Sequence, residues 1–164
     1  MVRALPLLTC LIAGCGFRGQ LAGDLYRDGA VAFRVGTLSA DWDRVQVADG
    51  HLAFHHARGG TILAHATCDG RADVSLDVAT NHLLFGIEER REISRIPFAL
   101  DGRAALRTRL DGTVDGVPVA LDLVVVKKDG CTYDLGLAAA PAVLPQRQPD
   151  FERFFRSFAR AEAS

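Results

Sequence analysis

The dipeptide Asp-Gly recurs along this chain, at 28–29, 49–50, 69–70, 101–102, 111–112, 115–116 and 129–130. Two-residue hairpin turns need positive φ at both central positions, a conformation that Asp and Gly tolerate better than most residues. Gly59-Gly60 adds another such turn. Runs joined by turns this tight are antiparallel neighbours, so the chain is constrained toward an antiparallel sheet.

The runs between these turns read as strands. Alternation of Val31, Phe33 and Val35 with Ala32 and Arg34 predicts a strand over 30–37, and Val45 with Val47 predicts another over 44–48. Residues 52–57 and 61–67 form a hairpin around Arg58-Gly59-Gly60. Further strands are predicted over 93–100, 104–110, 117–127 and 132–139. The run from Val117 to Val126 is the most continuously apolar and reads as the central strand, with Pro118 near its start, where a missing N–H is tolerated.

Two segments depart from this period. Leu76, Ala79, Leu83 and Ile87 stand at helical spacing, which predicts a helix over 74–87 with Asp73 as N-cap and Gly86 near its end. Phe151, Phe154, Phe155 and Phe158 make one apolar stripe, which predicts a closing helix over 151–160. Pro149 suits its first turn, Asp150 and Glu152 its positive end, and Arg156 and Arg160 its negative end. The class is therefore α+β: a mostly antiparallel sheet of about eight strands with two helices packed on it, in the order four strands, helix, four strands, helix. This order, the single Trp42 beside an early strand and the closing Phe-Glu-Arg-Phe-Phe-Arg-Ser-Phe segment (151–158) resemble the PsbP/Mog1-like α+β sandwiches. That resemblance implies a non-enzymatic adaptor or assembly factor and carries over no functional residue.

The first fifteen residues have a different character. Arg3 precedes an apolar run, Ala4 to Ala13, of about ten residues, too short for the roughly 20 that span a bilayer. The order basic, apolar, small is that of a secretory signal. Ile12-Ala13-Gly14-Cys15 resembles the lipobox of bacterial lipoproteins, with Cys10 a poorer match because Leu-Leu-Thr precedes it. The resemblance implies cleavage before Cys15 and acylation of its thiol, which anchors the chain to a membrane. It divides the chain into a signal peptide (1–14), a lipidated tether (15–25) and a single domain (26–164). Gly16 after the cysteine implies the outer membrane, facing the periplasm, with the inner membrane as the alternative.

Cysteine use follows from that location. Cys68 and Cys131 are the two thiols left in the domain, in an oxidising compartment. The expected state is a disulfide closing a loop of about 60 residues, worth roughly 4 kcal/mol on the chain-entropy model. The alternative is two separate buried thiols.

The formal net charge is −1, which leaves no basic surplus for holding nucleic acid. Catalytic and metal motifs are sparse. His51, His55, His56 and His65 fall on one predicted hairpin, and pairing across the turn would bring His55 or His56 toward His65. Adjacent His55 and His56 point to opposite faces, however, and no Cys or carboxylate pair completes a metal site. Cys68 and His65, three apart in a strand, also face opposite ways. No serine sits in a Gly-x-Ser-x-Gly elbow and no phosphate-cradling loop is present. Most Asp residues are explained as turn residues beside Gly. The cluster Glu88, Glu89, Arg90, Arg91 and Glu92 reads as a solvated face, or alternatively a docking patch. No catalytic residue, metal site or cofactor is expected.

The expected function is therefore that of a lipid-anchored envelope lipoprotein, not an enzyme. Its partners would be the membrane, through acylated Cys15, and an envelope protein or membrane-transport component. The alternatives are a carrier of a lipid or other apolar ligand, which needs an apolar cavity, and a small hydrolase, which needs clustered carboxylates with perturbed pKa values in a cleft.

Overall fold

The computed structural model describes residues 19–47, 52–68 and 74–162. Cys10, Cys15, His51, Asp73 and the Asp-Gly pairs at 49–50 and 69–70 lie outside the described residues.

The described residues form eleven strands and two helices, in place of the eight strands expected. They run β1 (Gln20–Ala22), β2 (Leu25–Asp28), β3 (Val31–Arg34), β4 (Trp42–Val45), β5 (Leu52–His56), β6 (Thr61–Thr67), α1 (Leu76–Leu83), β7 (Glu88–Leu100), β8 (Arg103–Val114), β9 (Val117–Lys128), β10 (Cys131–Ala139), α2 (Leu144–Arg156) and β11 (Ala159–Arg160). The strands divide into two sheets, not one: a small sheet ordered β1-β2-β3-β11 and a large one ordered β4-β5-β6-β10-β9-β8-β7. Every pairing is antiparallel. β10 is the central strand of the large sheet, and the apolar β9 is its interior neighbour. Residues Gln20–Ala22 and Leu25, within the segment assigned as a tether, are strand residues of the small sheet.

The Asp-Gly turns build the meander β7-β8-β9-β10. Asp101-Gly102, Asp115-Gly116 and Asp129-Gly130 each take positive φ at both positions, between 49° and 78°. Each closes a two-residue loop whose flanking residues pair directly, as Leu100 does with Arg103. This backbone twist matches that of the strands it joins. Asp111-Gly112 departs from expectation by lying inside β8. A Cβ on Gly112 would meet Ile87 Cγ2 at 2.6 Å and the Glu88 carbonyl oxygen at 2.8 Å. The register of β7 against β8 shifts just there, between Glu88 and Arg91. Here glycine admits a close backbone approach at a bulge instead of a turn.

The principal core lies between one face of the large sheet, α2 and the small sheet. Phe151, Phe154, Phe155 and Phe158 are all buried there. Phe158 packs against both Phe33 and Tyr133, at 6.2 and 4.9 Å between ring centroids, and those two rings stand 6.1 Å from each other. The apolar stripe therefore packs as expected, but the helix carrying it begins earlier and ends sooner. Pro145, not Pro149, occupies the first turn, while Pro149 lies inside the helix and Phe158 falls beyond its end. The earlier start is held by Arg147, whose Nε and Nη2 donate to the carbonyls of Gly59 and Arg58 at 3.0 and 3.3 Å. Asp150 and Glu152 consequently sit mid-helix. Asp150 accepts from Trp42 Nε1 at 3.0 Å. Glu152 accepts from Arg107 and Arg156; burial pushes its pKa up, and the two arginines outweigh that and hold it below the ordinary value.

The helix read over 74–87 is shorter, Leu76–Leu83, and is capped by Ser75, whose Oγ accepts from Val78 N at 3.2 Å. Cys68 and Cys131 are joined in a disulfide, with Cα atoms 4.2 Å apart. It ties the end of β6 to the start of β10.

Candidate functional site

The two faces of the large sheet are covered unequally. α2 and the small sheet pack on one face, over the principal core. On the other, α1 packs over β8 and β9, and Leu84, Leu110, Leu121 and Leu123 make a second, smaller cluster. Among the described residues, the half of this face formed by β6 and β10 has no such lid.

Strand alternation decides what lines it. In β10, Cys131, Tyr133, Leu135, Leu137 and Ala139 point into the principal core, so Thr132, Asp134, Gly136 and Ala138 point the other way. In β6, Ile62, Ala64 and Ala66 are buried, leaving Thr61, Leu63, His65 and Thr67 on the uncovered face. The register sets Thr132 opposite Thr67, Asp134 opposite His65, Gly136 opposite Leu63 and Ala138 opposite Thr61. With α1 as a side wall, these residues form a groove of two overlapping hollows, of about 360 and 340 Å3, which share His65, Leu83 and Asp134.

The groove is chemically graded along its length. Its end toward the start of α1 carries the polar side chains, Thr67, Thr132, Asp134, His65 and His82, set among Val74, Ala79 and Leu83. Its other end is apolar, with Leu63, Leu83, Ile87, Leu121 and Leu123 around Gly136 and Ala138. Asp134 stands at the junction. Its Oδ1 meets no hydrogen-bond donor among the described residues. Burial alone raises its pKa from 3.8 to about 7, because an apolar wall solvates a carboxylate far less well than water does. Across from it, His65 Nε2 lies 3.2 Å from Thr67 Oγ1. A carboxyl group that titrates near neutrality can donate or accept a hydrogen bond, and such a group in a cleft marks a candidate site.

The other histidines are dispersed. His56 faces the opposite side of the sheet, edge-on to Trp42 at 5.0 Å, and its Nδ1 accepts from Arg58 N at 2.9 Å. His55 pairs with Thr61, four residues along β6 from His65 or ~13 Å away, so the hairpin does not bring it to His65. Among the described residues no three His, Cys, Asp or Glu side chains are placed to hold a metal ion. Cys68 is committed to the disulfide. The cluster 88–92 lies on the exposed outer half of β7, the edge of the large sheet, where alternating charges blunt an open edge. Arg91 pairs there with Asp111. Asp134 was hidden among Asp residues explained as turn formers, yet it has no glycine beside it and falls within a predicted strand.

No protein-family model and no curated protein matches the sequence. Solved structures do match. LpqN of Mycobacterium tuberculosis, a protein involved in cell envelope biogenesis, superposes with a TM-score of 0.59 at 13% identity, over 81% of this chain and 85% of its own. The cyanobacterial PsbP (CyanoP) of Synechocystis superposes with a TM-score of 0.56 at 15% identity, over 92% of this chain and 99% of its own. The fold is PsbP-like. A protein of unknown function from Pseudomonas aeruginosa is similar in the same sense, with a TM-score of 0.54 at 14% identity, over 85% of this chain and 97% of its own. At these identities the PsbP-like likeness concerns architecture, and the groove residues stand on their own geometry. No helix among the described residues is long and apolar enough to cross a membrane.

Proposed function

We propose that this protein is a lipid-anchored envelope protein, acylated at Cys15 and facing the periplasm from the outer membrane. It works by binding an envelope or membrane-transport component, not by catalysis. The binding face is the uncovered β6–β10 half of the large sheet. The observation that carries this reading is the unequal cover of the two sheet faces: a groove graded from polar to apolar is left open beside α1. Leu63 stands on a half-face that neither helix nor sheet covers among the described residues, next to the leucines at the edge of the α1 cluster, and open apolar surface of this kind marks an interaction site. The involvement of LpqN, which has a similar fold, in cell envelope biogenesis supports an envelope role.

Two measurements test the reading. Labelled palmitate should enter the wild-type chain and fail to enter Cys15→Ala; label retained by the variant overturns the anchor. A component crosslinked to the anchored protein in native membranes, then purified, should bind wild type and lose at least tenfold in affinity for Leu63→Lys. Equal affinity for the two overturns the groove as the binding face.

A further inference from the structure

Resting on the groove as the binding face, we infer that its occupant is a single-chain amphiphile: one acyl chain lying along β10 over Gly136 and Ala138, with a head group bearing hydrogen-bond donors placed at Asp134 and His65.

The length fits. From Thr132 to Ala138 the strand advances six residues, ~20 Å of groove floor, and each hollow falls in the range of roughly 300–1,000 Å3 occupied by small ligands. The floor fits as well. Gly136 and Ala138 are the smallest residues on this face; Leu63 and Leu123 pair with Gly136 on its two sides, and Leu123 Cδ2 leans in to 3.2 Å from where a Cβ on Gly136 would stand. A slender chain can therefore lie over this low floor against the Leu63 and Leu123 side chains.

The backbone of the floor selects against a peptide. β6, β10 and β9 are each hydrogen-bonded to neighbours on both sides, so their amides have nothing left to offer along the groove. A peptide laid there would bury its own N–H and C=O groups without partners, at about 1–3 kcal/mol for each. An acyl chain has no such groups. A second copy of this sheet is obstructed by α1, which stands on the same face.

The polar end specifies the head. Asp134 Oδ1 is buried without a donor, and Thr67, Thr132, His65 and His82 surround the same hollow. A hydroxyl or amide N–H on the ligand would supply the missing bond, whereas a carboxylate head would set a second acceptor against Asp134 whenever that residue has lost its proton. One further side chain marks the entrance. Phe85, in the turn between two lining residues, Leu83 and Ile87, is 95% exposed. An aromatic ring held in water beside an apolar mouth suits contact with the lipid surface from which a single chain would enter.

The test uses the full chain carrying Cys15→Ala, so that no covalent lipid competes. Equilibrium dialysis with radiolabelled 1-monomyristoylglycerol, kept below its micelle-forming concentration, should show saturable binding of one molecule per chain. Ala138→Phe, which fills the floor, and Leu63→Lys, which places a charge in the wall, should each weaken binding at least tenfold. Asp134→Leu should weaken monomyristoylglycerol binding while narrowing its preference over myristate. Circular dichroism and thermal melts establish that each variant is folded. Non-saturable uptake, or equal binding by wild type and both groove variants, overturns the proposal. If no amphiphile binds but Leu63→Lys still loses the crosslinked component, the groove remains a binding face and the amphiphile is the wrong occupant.

Discussion

Arg107 grips Asp122 with two parallel bonds, Nε to Oδ1 at 2.8 Å and Nη2 to Oδ2 at 2.7 Å, beneath α2. Asp122 is completely buried, and the same guanidinium reaches Glu152 Oε2 at 3.0 Å and lies 5.0 Å from the Phe155 ring. The hydrogen bond to Asp122 pushes the Arg107 pKa further up, so the guanidinium stays charged. A buried pair of this kind contributes little net stability, but breaking it strands a charge. Arg107→Met should therefore lose about 3–5 kcal/mol in urea unfolding. The double variant Arg107→Met, Asp122→Leu should recover most of that loss. A single variant within 1 kcal/mol of wild type would contradict this account.

The raised pKa of Asp134 has a sign that can be measured. Folding lifts this carboxyl from 3.8 to about 7, so between those values the folded state holds a proton that the unfolded state has released. The contribution to stability is full below about pH 4 and disappears as pH rises through about 7. Asp134→Asn should match wild type near pH 4 and exceed it at pH 8, by up to roughly 4 kcal/mol. His65 stands directly across the strand pair, and a charged imidazole there would hold the carboxylate down. The comparison should therefore be repeated in a His65→Gln background. A pH-independent difference would remove burial as the cause.

The disulfide closes a loop with a sequence separation of 63 residues. On the chain-entropy model its removal costs about 4 kcal/mol. Replacing both Cys68 and Cys131 by Ser should lower the urea midpoint accordingly. Wild type should fall to the same midpoint in reducing agent, and the double variant should be indifferent to it.

Gly112→Ala should lose about 1–3 kcal/mol, because the new methyl must displace Ile87 or the Glu88 carbonyl. Ile87→Ala should relieve part of that loss when the two are combined. Additive losses would show that the close approach is not the reason for glycine at this position.

What could be read from the sequence was whatever has a local cause. Asp101-Gly102, Asp115-Gly116 and Asp129-Gly130 are turns because their own backbones demand it, and the phenylalanine stripe packs inward because its spacing matches the helix period. Gly112 has the same dipeptide signature but answers to Ile87, which is distant in sequence. The start of α2 depends on Arg147 reaching the β5–β6 turn, so local signals placed it several residues late. β1 and β11, of three and two residues, are too short to carry a period and exist through pairing. Asp134 was visible as a carboxylate inside an alternating strand, beside no glycine. What makes it special is a wall of residues from β6, β9 and α1 that no local pattern reveals.

β11 pairs with β3, and Ala161 N donates to Ala32 O at 3.0 Å. The small sheet is thus finished by residues that come after every other described element. During synthesis, β3 keeps an open edge until residues 159–161 are available. A chain interrupted before them would hold its large sheet and α2 while presenting one unpaired strand edge. Such an edge invites strand addition by chaperones and by other copies alike. The quality of the last few residues is therefore tied to the solubility of the first strands, across most of the length of the molecule.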